Sequence, residues 1–269
     1  MGTARTMSEA DGRGDVAART YVILNRPRIT PDEMTAGNDE WAETYEETQT
    51  RAVWPYPETG PVEETRKRSL GYATRNHPAP PSPQQMFVQG GFRGPAITLE
   101  EALRRVPPER RAKVRVLDVA AGTGCVGREL HREGFRLIDA VEPSEGMTKK
   151  LRESGVYTND FMEFIGTGQS TVPRDTYDLV VISGGMGEGH VPVVGLDDLV
   201  RVAKNGGFVI IVMRHEYLQT APSYKDKLEP YMDQLEADGK WRKVERRIVP
   251  NFFFDKEGLV YVFRVTKPE

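Results

Sequence analysis

The sequence predicts an α/β fold built on a doubly wound, seven-stranded sheet that is mostly parallel and has an antiparallel last strand. Three observations carry this prediction. Strand-length apolar runs alternate with amphipathic helical segments from about Thr98 onward, which is the pattern of parallel crossover units. A glycine-rich turn follows the first of these strands. Two strand candidates follow one another at the end of the chain, so a hairpin should close the sheet and reverse its last strand.

Each element is predicted from its own local pattern. Helices are expected where apolar residues recur at helical spacing between capping residues and glycine stops. They cover 98–105 with Thr98 as cap, 124–132, 144–154 with Ser144 as cap, 196–202, and 223–237 with a kink at Pro230. Strands are expected at 114–119, 137–141, 156–158, 177–182, 208–213, 243–249 and 259–265.

The first part of the chain has a different composition. Residues 1–20 are polar and rich in Gly, Ala and Arg, and are predicted to be a disordered tail. Residues 21–97 are interpreted as an N-terminal helical cap and a proline-rich connection, with a helix between Pro31 and Thr50. Trp41 and Tyr45 are four residues apart and share a face of that helix. The main domain is predicted to span 98–269.

Composition excludes several classes of protein. The 269 residues carry a net charge of −3, with both signs mixed, so no basic stripe indicates a nucleic-acid partner. One cysteine and four histidines make a structural zinc site improbable, and no other metal site is predicted. No apolar run is long enough to span a bilayer, so no membrane partner is expected. A single cysteine is typical of a reducing compartment, and the predicted location is cytoplasmic.

The chemistry is predicted to lie at the turn after the first strand. Gly122, Gly124 and Gly127 have the spacing G-x-G-x-x-G between a strand and a helix. Such a turn lets a ligand approach the backbone at the carboxyl edge of the sheet. The second strand is followed by Glu142, and a carboxylate there can accept both ribose hydroxyls of an adenosine.

Asp118 helps to choose among adenosine ligands. It lies at the end of the first strand, where the pyrophosphate of a dinucleotide would repel a buried carboxylate. S-adenosylmethionine has no phosphate and brings an ammonium and a sulfonium, which an acid nearby favours. The other interpretation of Asp118 is a strand-end residue that binds a loop amide.

Four motifs resemble those of the class I S-adenosylmethionine-dependent methyltransferases, a superfamily with a Rossmann-like fold. Residues 118–124 resemble the first motif, with Ala120 where the common form has glycine. Residues 141–147, 177–181 and 204–210 are similar to the second-strand, fourth-strand and fifth-strand motifs. Residues 39–46 are similar to a segment found before the core in many small-molecule methyltransferases. The prolines of residues 76–95 depart from that pattern and leave the shape of the cap open.

The resemblance implies S-adenosyl-L-methionine as cofactor and a small-molecule methyl acceptor. It assigns the methionine and ribose side of the cofactor to Gly122 and Gly124, and the ribose diol to Glu142. The other positions that it implies for cofactor binding are Asp118 and Ala120 in the first motif, Pro143 and Met147 near adenine, Asn159 and Asp160 at the adenine amino group, Ser183 beside the methyl, and Trp41 and Tyr45 over the cofactor. The alternatives are an ordinary turn for Asn159 and Asp160, and helix anchoring for the two aromatic residues.

Two histidines are candidate general bases. His190 follows the fourth strand and His215 follows the fifth, so both lie where the crevice should open. A surface histidine is the alternative for each. Arg214 is an alternative binding residue, for an acidic acceptor. No tetrapeptide of the form Asn/Asp-Pro-Pro-aromatic, the signature of amino-nitrogen methylation of adenine, occurs in the chain.

Three other functions stay open at this point. A catalytically silent cofactor-binding module would keep the same motifs. A protein or RNA acceptor would use the same domain, although the absence of a basic stripe disfavours RNA. An NAD oxidoreductase is disfavoured by Asp118 and by the terminal hairpin.

Overall fold

A mixed sheet forms the centre of the computed structural model, which describes residues 29–42 and 91–267. Its seven strands are β1 (Arg115–Val119), β2 (Leu137–Val141), β3 (Asn159–Phe161), β4 (Tyr177–Ser183), β5 (Ala203–Arg214), β6 (Trp241–Phe253) and β7 (Lys256–Val265). They lie in the order β3-β2-β1-β4-β5-β7-β6. The predicted fold class is confirmed.

The direction of each strand follows from its connection. β1 pairs in parallel with β2 and β4, β2 with β3, and β4 with β5, and a helix or a long crossover connects consecutive strands. β7 runs antiparallel to both β5 and β6, because β6 and β7 are joined by a tight hairpin. The carboxyl ends of β1 to β5 therefore meet at one edge of the sheet.

Helices cover both faces of the sheet. In the described residues they are α1 (Pro31–Trp41), α2 (Gly94–Arg105), α3 (Pro108–Arg111), α4 (Cys125–Arg132), α5 (Glu145–Glu153), α6 (Gly195–Val202), α7 (Tyr217–Thr220) and α8 (Leu228–Ala237). Leu199 of α6 and Met232 of α8 pack on one face, in a core that includes Leu117 and Ile182. Ile97 of α2 and Leu130 of α4 pack on the other, in a core that includes Val116 and Val181. Alternate residues of each strand thus enter different cores, as a buried two-sided sheet requires.

Three local predictions were wrong. α2 begins at Gly94, so Thr98 is a buried residue of the helix interior and not its cap. α8 begins at Leu228, which places Pro230 in the first turn, where proline needs no kink. The third strand is Asn159–Phe161 and not 156–158, because its pairing with β2 sets the register, with Asp139 opposite Asn159.

α1 has a complete N-terminal cap. Thr30 Oγ accepts a hydrogen bond from the Glu33 N–H at 3.3 Å, and Glu33 Oε2 accepts one from the Thr30 N–H at 2.9 Å. Pro31 occupies the first helical position. The helix predicted over 31–50 is thus described as far as Trp41, and Tyr45 lies outside the described residues. The tail at 1–20 and most of the connection at 21–97 also lie outside them.

The described residues contain neither a membrane-length apolar helix nor a metal-binding cluster. None of their helices has the length and apolar character to cross a membrane. They also contain no cluster of His, Cys, Asp and Glu side chains arranged to hold a metal ion.

Candidate functional site

A cavity lies at the carboxyl edge of the sheet, where the loops after β1, β2, β3 and β4 converge and α1 supplies one wall. This is the edge at which ligands of open α/β sheets bind. The residues that line it are Met34, Thr35, Asn38, Val119, Ala120, Val141, Glu142, Pro143, Glu163, Phe164, Ile165, Gly189, His190 and Val191. Three residues named from the sequence as cofactor contacts, Ala120, Glu142 and Pro143, are among them, as is His190.

The turn between β1 and α4 is built from left-handed residues. Ala120, Gly122 and Gly124 have φ values of 53°, 57° and 86°. Only glycine adopts this region without strain, so Ala120 is held there by the loop around it. A Cβ added to Gly122 would meet no atom within 4 Å, so this side of the turn is open.

Tyr157 packs against the other side of the turn. A Cβ at Gly124 would lie 2.8 Å from the Tyr157 ring, and one at Gly127 would lie 2.2 Å from its hydroxyl. The hydroxyl accepts the Gly127 N–H at 3.1 Å and donates to Asp118 Oδ2 at 2.7 Å. The Tyr157 side chain therefore leaves no room for a Cβ at position 127.

Asp118 lies below the turn and is not among the residues that line the cavity. It is almost fully buried, and burial raises the pKa of its carboxyl to about 7. The Tyr157 hydrogen bond opposes that shift, because it stabilises the charged form. Asp118 thus binds the side chain of Tyr157, which precedes β3, and its contact with the cofactor stays a prediction.

Glu142 connects the two loops that form the floor of the cavity. Its Oε2 accepts the Gly122 N–H at 2.8 Å, and its Oε1 accepts the Ser144 N–H at 3.0 Å. Burial raises the pKa of Glu142 to about 7, with the Asp39 carboxylate adding to the shift and the two backbone donors opposing it. The carboxylate is thus fixed in orientation at the mouth of the glycine turn.

Met147 is the remaining residue predicted near adenine. It lies in the first turn of α5 and is 2% exposed. Its backbone N–H donates to Ser144 Oγ at 3.1 Å, so Ser144 caps α5 as the sequence predicted. Met147 is not among the lining residues of the cavity.

Asn159 and Asp160 are not past the third strand, where the sequence put them, but form its first two positions. Asn159 donates to Asp139 at 3.0 Å, and Asp160 pairs with Arg152 at 2.6 Å. The difference between the predicted and the observed strand follows from the register of β3 against β2, which no local pattern reveals. The residues that do follow the strand and line the cavity are Glu163, Phe164 and Ile165, which were not predicted from the sequence.

The sequence also did not predict which residues of α1 line the cavity. Trp41 was the residue singled out, but it is buried with Ile29 and Met34 in a small cluster of its own. Met34, Thr35 and Asn38 reach the cavity. Asn38 follows Thr35 by three residues and Met34 by four, and this spacing is the one signal that would have placed them on a single helix face.

The loop after β4 is held by two side chains from the region before α8. The Tyr224 hydroxyl accepts the Gly187 N–H at 2.9 Å and donates to the Val191 carbonyl at 2.5 Å. The Glu188 carboxylate accepts the Ser223 N–H at 2.9 Å and its hydroxyl at 2.8 Å. Such a loop presents His190 to the cavity in a fixed position. Burial lowers the pKa of His190 below its ordinary value.

His215 and Ser183 are not brought together with His190. His215 Nδ1 lies 3.1 Å from Glu257 Oε2 of the terminal hairpin, and His215 is not a lining residue of the cavity. Ser183 Oγ is buried and has no hydrogen bond within the described chain, and a Cβ on Gly94 would lie 2.5 Å from it. Ser183 thus faces α2 on the opposite side of the sheet.

Comparison with known proteins adds to this geometry. Residues 117–211 match the family described as a methyltransferase domain. Methyltransferase-like protein 27 of Homo sapiens is 31% identical over 150 residues, which are 56% of this chain and 60% of that protein. A demethylmenaquinone methyltransferase of Clavibacter sepedonicus is 37% identical over 99 residues, 36% of this chain and 40% of that protein. The PH0226 protein of Pyrococcus horikoshii has a TM-score of 0.49 and 20% identity, with 65% of this chain and 91% of that chain covered.

The match to a methyltransferase domain covers all four motifs that resemble those of the class I S-adenosylmethionine-dependent methyltransferases. The chain spans 60% of the length of the human relative and 40% of the length of the bacterial one.

Proposed function

We propose that this chain is an S-adenosylmethionine-dependent methyltransferase that acts on a small molecule. One observation carries the proposal. The Gly122 N–H of the glycine turn donates a hydrogen bond to Glu142. Glu142 lines the cavity at the edge of the sheet where folds of this kind bind adenosine ligands.

The residues present fit the cofactor. Each oxygen of the Glu142 carboxylate accepts one backbone N–H, and an ionised carboxylate has about four acceptor positions in all. Capacity thus remains for the two hydroxyls of a ribose. The open space beside Gly122 suits the close approach of a ligand to the backbone.

The remaining walls suit adenine. Pro143, Phe164 and Met34 give it apolar faces. We assign the recognition of its amino group to the backbone of the Glu163–Phe164 segment, because the Glu163 carboxylate itself accepts hydrogen bonds from Ser170 and Thr171. This assignment replaces the one made for Asn159 and Asp160, which are engaged with Asp139 and Arg152. Trp41 supports this wall through its contact with Met34.

When bound, the cofactor supplies a methyl group on a sulfonium, which leaves readily. The chain's own residues then have to align the acceptor, exclude water and, for some acceptors, take up a proton. His190 is the candidate for the last task, because it lines the cavity and its lowered pKa keeps the ring neutral near pH 7. His215 is a weaker candidate, since it is paired with Glu257.

A small-molecule acceptor is favoured over a macromolecule by two considerations. The bacterial relatives include a demethylmenaquinone methyltransferase, which is 37% identical over the shared core. The net charge of −3 gives RNA no electrostatic advantage. A protein acceptor and a silent cofactor-binding module are the outcomes against which the proposal is tested.

The first experiment measures the binding of S-adenosylhomocysteine by calorimetry. We expect binding by the wild type, no binding of NAD, and a loss of at least about tenfold in affinity in Glu142→Ala. Glu153→Ala, at an exposed glutamate on the end of α5, is the matched control and should bind normally. Equal affinities in the two variants would contradict the diol role of Glu142.

The second experiment follows the methyl group. The protein is incubated with a cell extract and radiolabelled S-adenosylmethionine, and the label is then partitioned between the small-molecule and macromolecular fractions. Label in the small-molecule fraction supports the proposal. Label confined to protein or RNA, or cofactor binding with no transfer at all, overturns it.

A further inference from the structure

One hydrogen bond of His190 fixes which of its ring nitrogens carries a proton. His190 Nδ1 lies 3.0 Å from the backbone carbonyl oxygen of Glu188. A carbonyl oxygen can only accept a hydrogen bond, so Nδ1 is the donor in this contact and carries a proton even in the neutral ring. In the neutral ring Nε2 is then unprotonated, and it makes no hydrogen bond to the residues that the structure describes. The imidazole therefore has a free lone pair on Nε2.

The ring of His190 is oriented with its Nδ1 side toward its own loop. A Cβ on Gly187 would lie 3.3 Å from Nδ1 and 3.7 Å from Cε1 of the ring. His190 also lines the cofactor cavity, together with Gly189 and Val191 of the same loop. Because Nδ1 is turned toward the loop backbone, the opposite edge of the ring, which contains Nε2, is the one left for a molecule in the cavity.

Two consecutive residues from the segment before α8 hold the loop on both sides of this histidine. The Ser223 N–H and hydroxyl both donate to the Glu188 carboxylate, at 2.9 and 2.8 Å. The Tyr224 hydroxyl accepts the Gly187 N–H and donates to the Val191 carbonyl. A single hydroxyl thus joins the two ends of a five-residue stretch of backbone.

The backbone hydrogen bonds of the loop itself are long. The His190 N–H donates to the Gly187 carbonyl at 3.2 Å, and the Val191 N–H donates to the Gly185 carbonyl at 3.4 Å. Both distances exceed the common value of about 2.9–3.0 Å for such bonds. Tyr224, by contrast, is 1% exposed and belongs to the main core on its side of the sheet, so it is a fixed anchor. The loop therefore depends on side chains from outside it for its shape.

We infer that Nε2 of His190 accepts the proton that the methyl acceptor loses, and that Ser223 and Tyr224 are the positioning residues that keep Nε2 unprotonated. The acceptor atom bonds the methyl carbon as the bond from that carbon to the sulfonium breaks, and the hydrogen of the acceptor atom passes to Nε2 as a proton. The products are a thioether, the methylated acceptor and an imidazolium, so charge is conserved. The inference rests on the proposed function and specifies its acceptor, which carries an ionisable hydrogen on the atom that is methylated.

The first test determines the tautomer of His190 by long-range nitrogen–proton correlation NMR, on protein saturated with S-adenosylhomocysteine at about pH 7.5, where the ring is neutral. The chain has four histidines, and His190→Gln identifies the signals of this one. We expect the wild type to carry its proton on Nδ1 alone. Tyr224→Phe and Ser223→Ala should show both tautomers, because the Glu188 carbonyl is no longer held against the ring. Ser223→Thr keeps the hydroxyl and should retain the wild-type pattern.

Tyr261→Phe is the matched control. Tyr261 is a buried tyrosine of the same core as Tyr224, and its hydroxyl donates to Glu229 of α8 at 2.7 Å. Its loss should leave the tautomer of His190 unchanged. A wild-type proton on Nε2, or the same mixture of tautomers in Tyr261→Phe, would overturn the inference. A single tautomer retained in folded Tyr224→Phe or Ser223→Ala would overturn the positioning role of that residue.

The second test measures the initial rate of methyl transfer from radiolabelled S-adenosylmethionine to the cell extract. We expect His190→Gln to lower this rate at least about a hundredfold, as for the loss of a general base. Its affinity for S-adenosylhomocysteine should stay within about threefold of the wild-type value. A rate close to that of the wild type would overturn the inference. Failure of the wild type to bind S-adenosylhomocysteine, or to transfer any label, would instead overturn the proposed function.

Discussion

The carboxylate of Asp39 accepts the backbone N–H of Gly146 at 2.9 Å, so α1 is joined to the first turn of α5. The same oxygen accepts the Ser144 hydroxyl at 2.5 Å. A Cβ on Gly146 would lie 3.0 Å from the Asp39 carbonyl, so glycine permits the close approach of the two helices. An anion at a helix N-terminus is stabilised by the unpaired N–H groups and the helix dipole.

We expect Asp39→Ala to loosen α1 from the domain. The lost cap is worth about 1 kcal/mol, and amide hydrogen exchange across residues 31–41 should accelerate accordingly. Because α1 supplies Met34, Thr35 and Asn38 to the cavity wall, the affinity for S-adenosylhomocysteine should also fall. Glu40→Ala, at the adjacent exposed position, is the control. Unchanged exchange in Asp39→Ala would show that the two hydrogen bonds do not hold the helix.

The second prediction concerns pH and cofactor binding. The pKa of Glu142 is raised to about 7 by burial, so in the free protein this group is largely protonated below that pH. Ribose hydroxyls donate hydrogen bonds, which favours the ionised form. The affinity for S-adenosylhomocysteine should therefore increase as the pH rises through about 7. Below pH 7, binding should release a proton from Glu142. Calorimetry in two buffers of different ionisation enthalpy measures both, and Glu142→Gln should remove this dependence.

The same shift has a consequence for stability. The folded protein holds the Glu142 proton up to about pH 7, whereas the unfolded chain releases it near 4.5. The free energy of unfolding should therefore fall as the pH rises from about 4.5 to 7. Asp118 is shifted in the same direction, so Glu142→Gln should remove only part of this slope. Urea denaturation between pH 4.5 and 7 measures the pH dependence of the free energy of unfolding. An identical dependence in Glu142→Gln would contradict the buried, protonated state of Glu142.

The third prediction concerns the strain at Ala120. With φ at 53°, this residue occupies the region that costs an alanine about 1 kcal/mol or more. Ala120→Gly should therefore raise the free energy of unfolding by about 0.5–1 kcal/mol, after the greater freedom of glycine in the unfolded chain is subtracted. Asn251→Gly is the comparison, because its φ is 52° but asparagine tolerates that region. A loss of stability in Ala120→Gly would mean that the methyl contact with the Gly185 loop outweighs the strain.

The sequence predicted what is encoded locally. β1, β2 and the glycine turn lie where predicted, because an apolar strand, a turn of glycines and a helix each leave a pattern within a few residues. Glu142 was found for the same reason, since it directly follows a strand. The position of β3 could not be found in this way. It has three residues, and its register is set by pairing with β2.

Contacts between distant segments were equally hidden. Asp118 and Tyr157 are hydrogen-bonded across 39 positions of sequence, and Asp39 reaches Gly146 across 107. Neither pair leaves a periodic signal in the chain. The hydrogen bond of Asp118 to Tyr157 was therefore not predicted, and the cavity wall formed by Asn38 and its neighbours on α1 was overlooked.

The last prediction tests whether Tyr157 explains the glycine at position 127. In the wild type, the Cβ of Gly127→Ala would lie 2.2 Å from the Tyr157 hydroxyl, and we expect the forced displacement to cost about 1–3 kcal/mol. In a Tyr157→Ala background the ring is gone, and the same change should stabilise α4 by up to about 1 kcal/mol, because alanine is the better helix former. The sign of the effect should thus reverse between the two backgrounds. The four proteins of this double-mutant cycle are compared by urea denaturation at pH 6, where the buried Asp118 of the Tyr157→Ala proteins is protonated. Equal effects of Gly127→Ala in both backgrounds would show that the ring does not dictate the glycine.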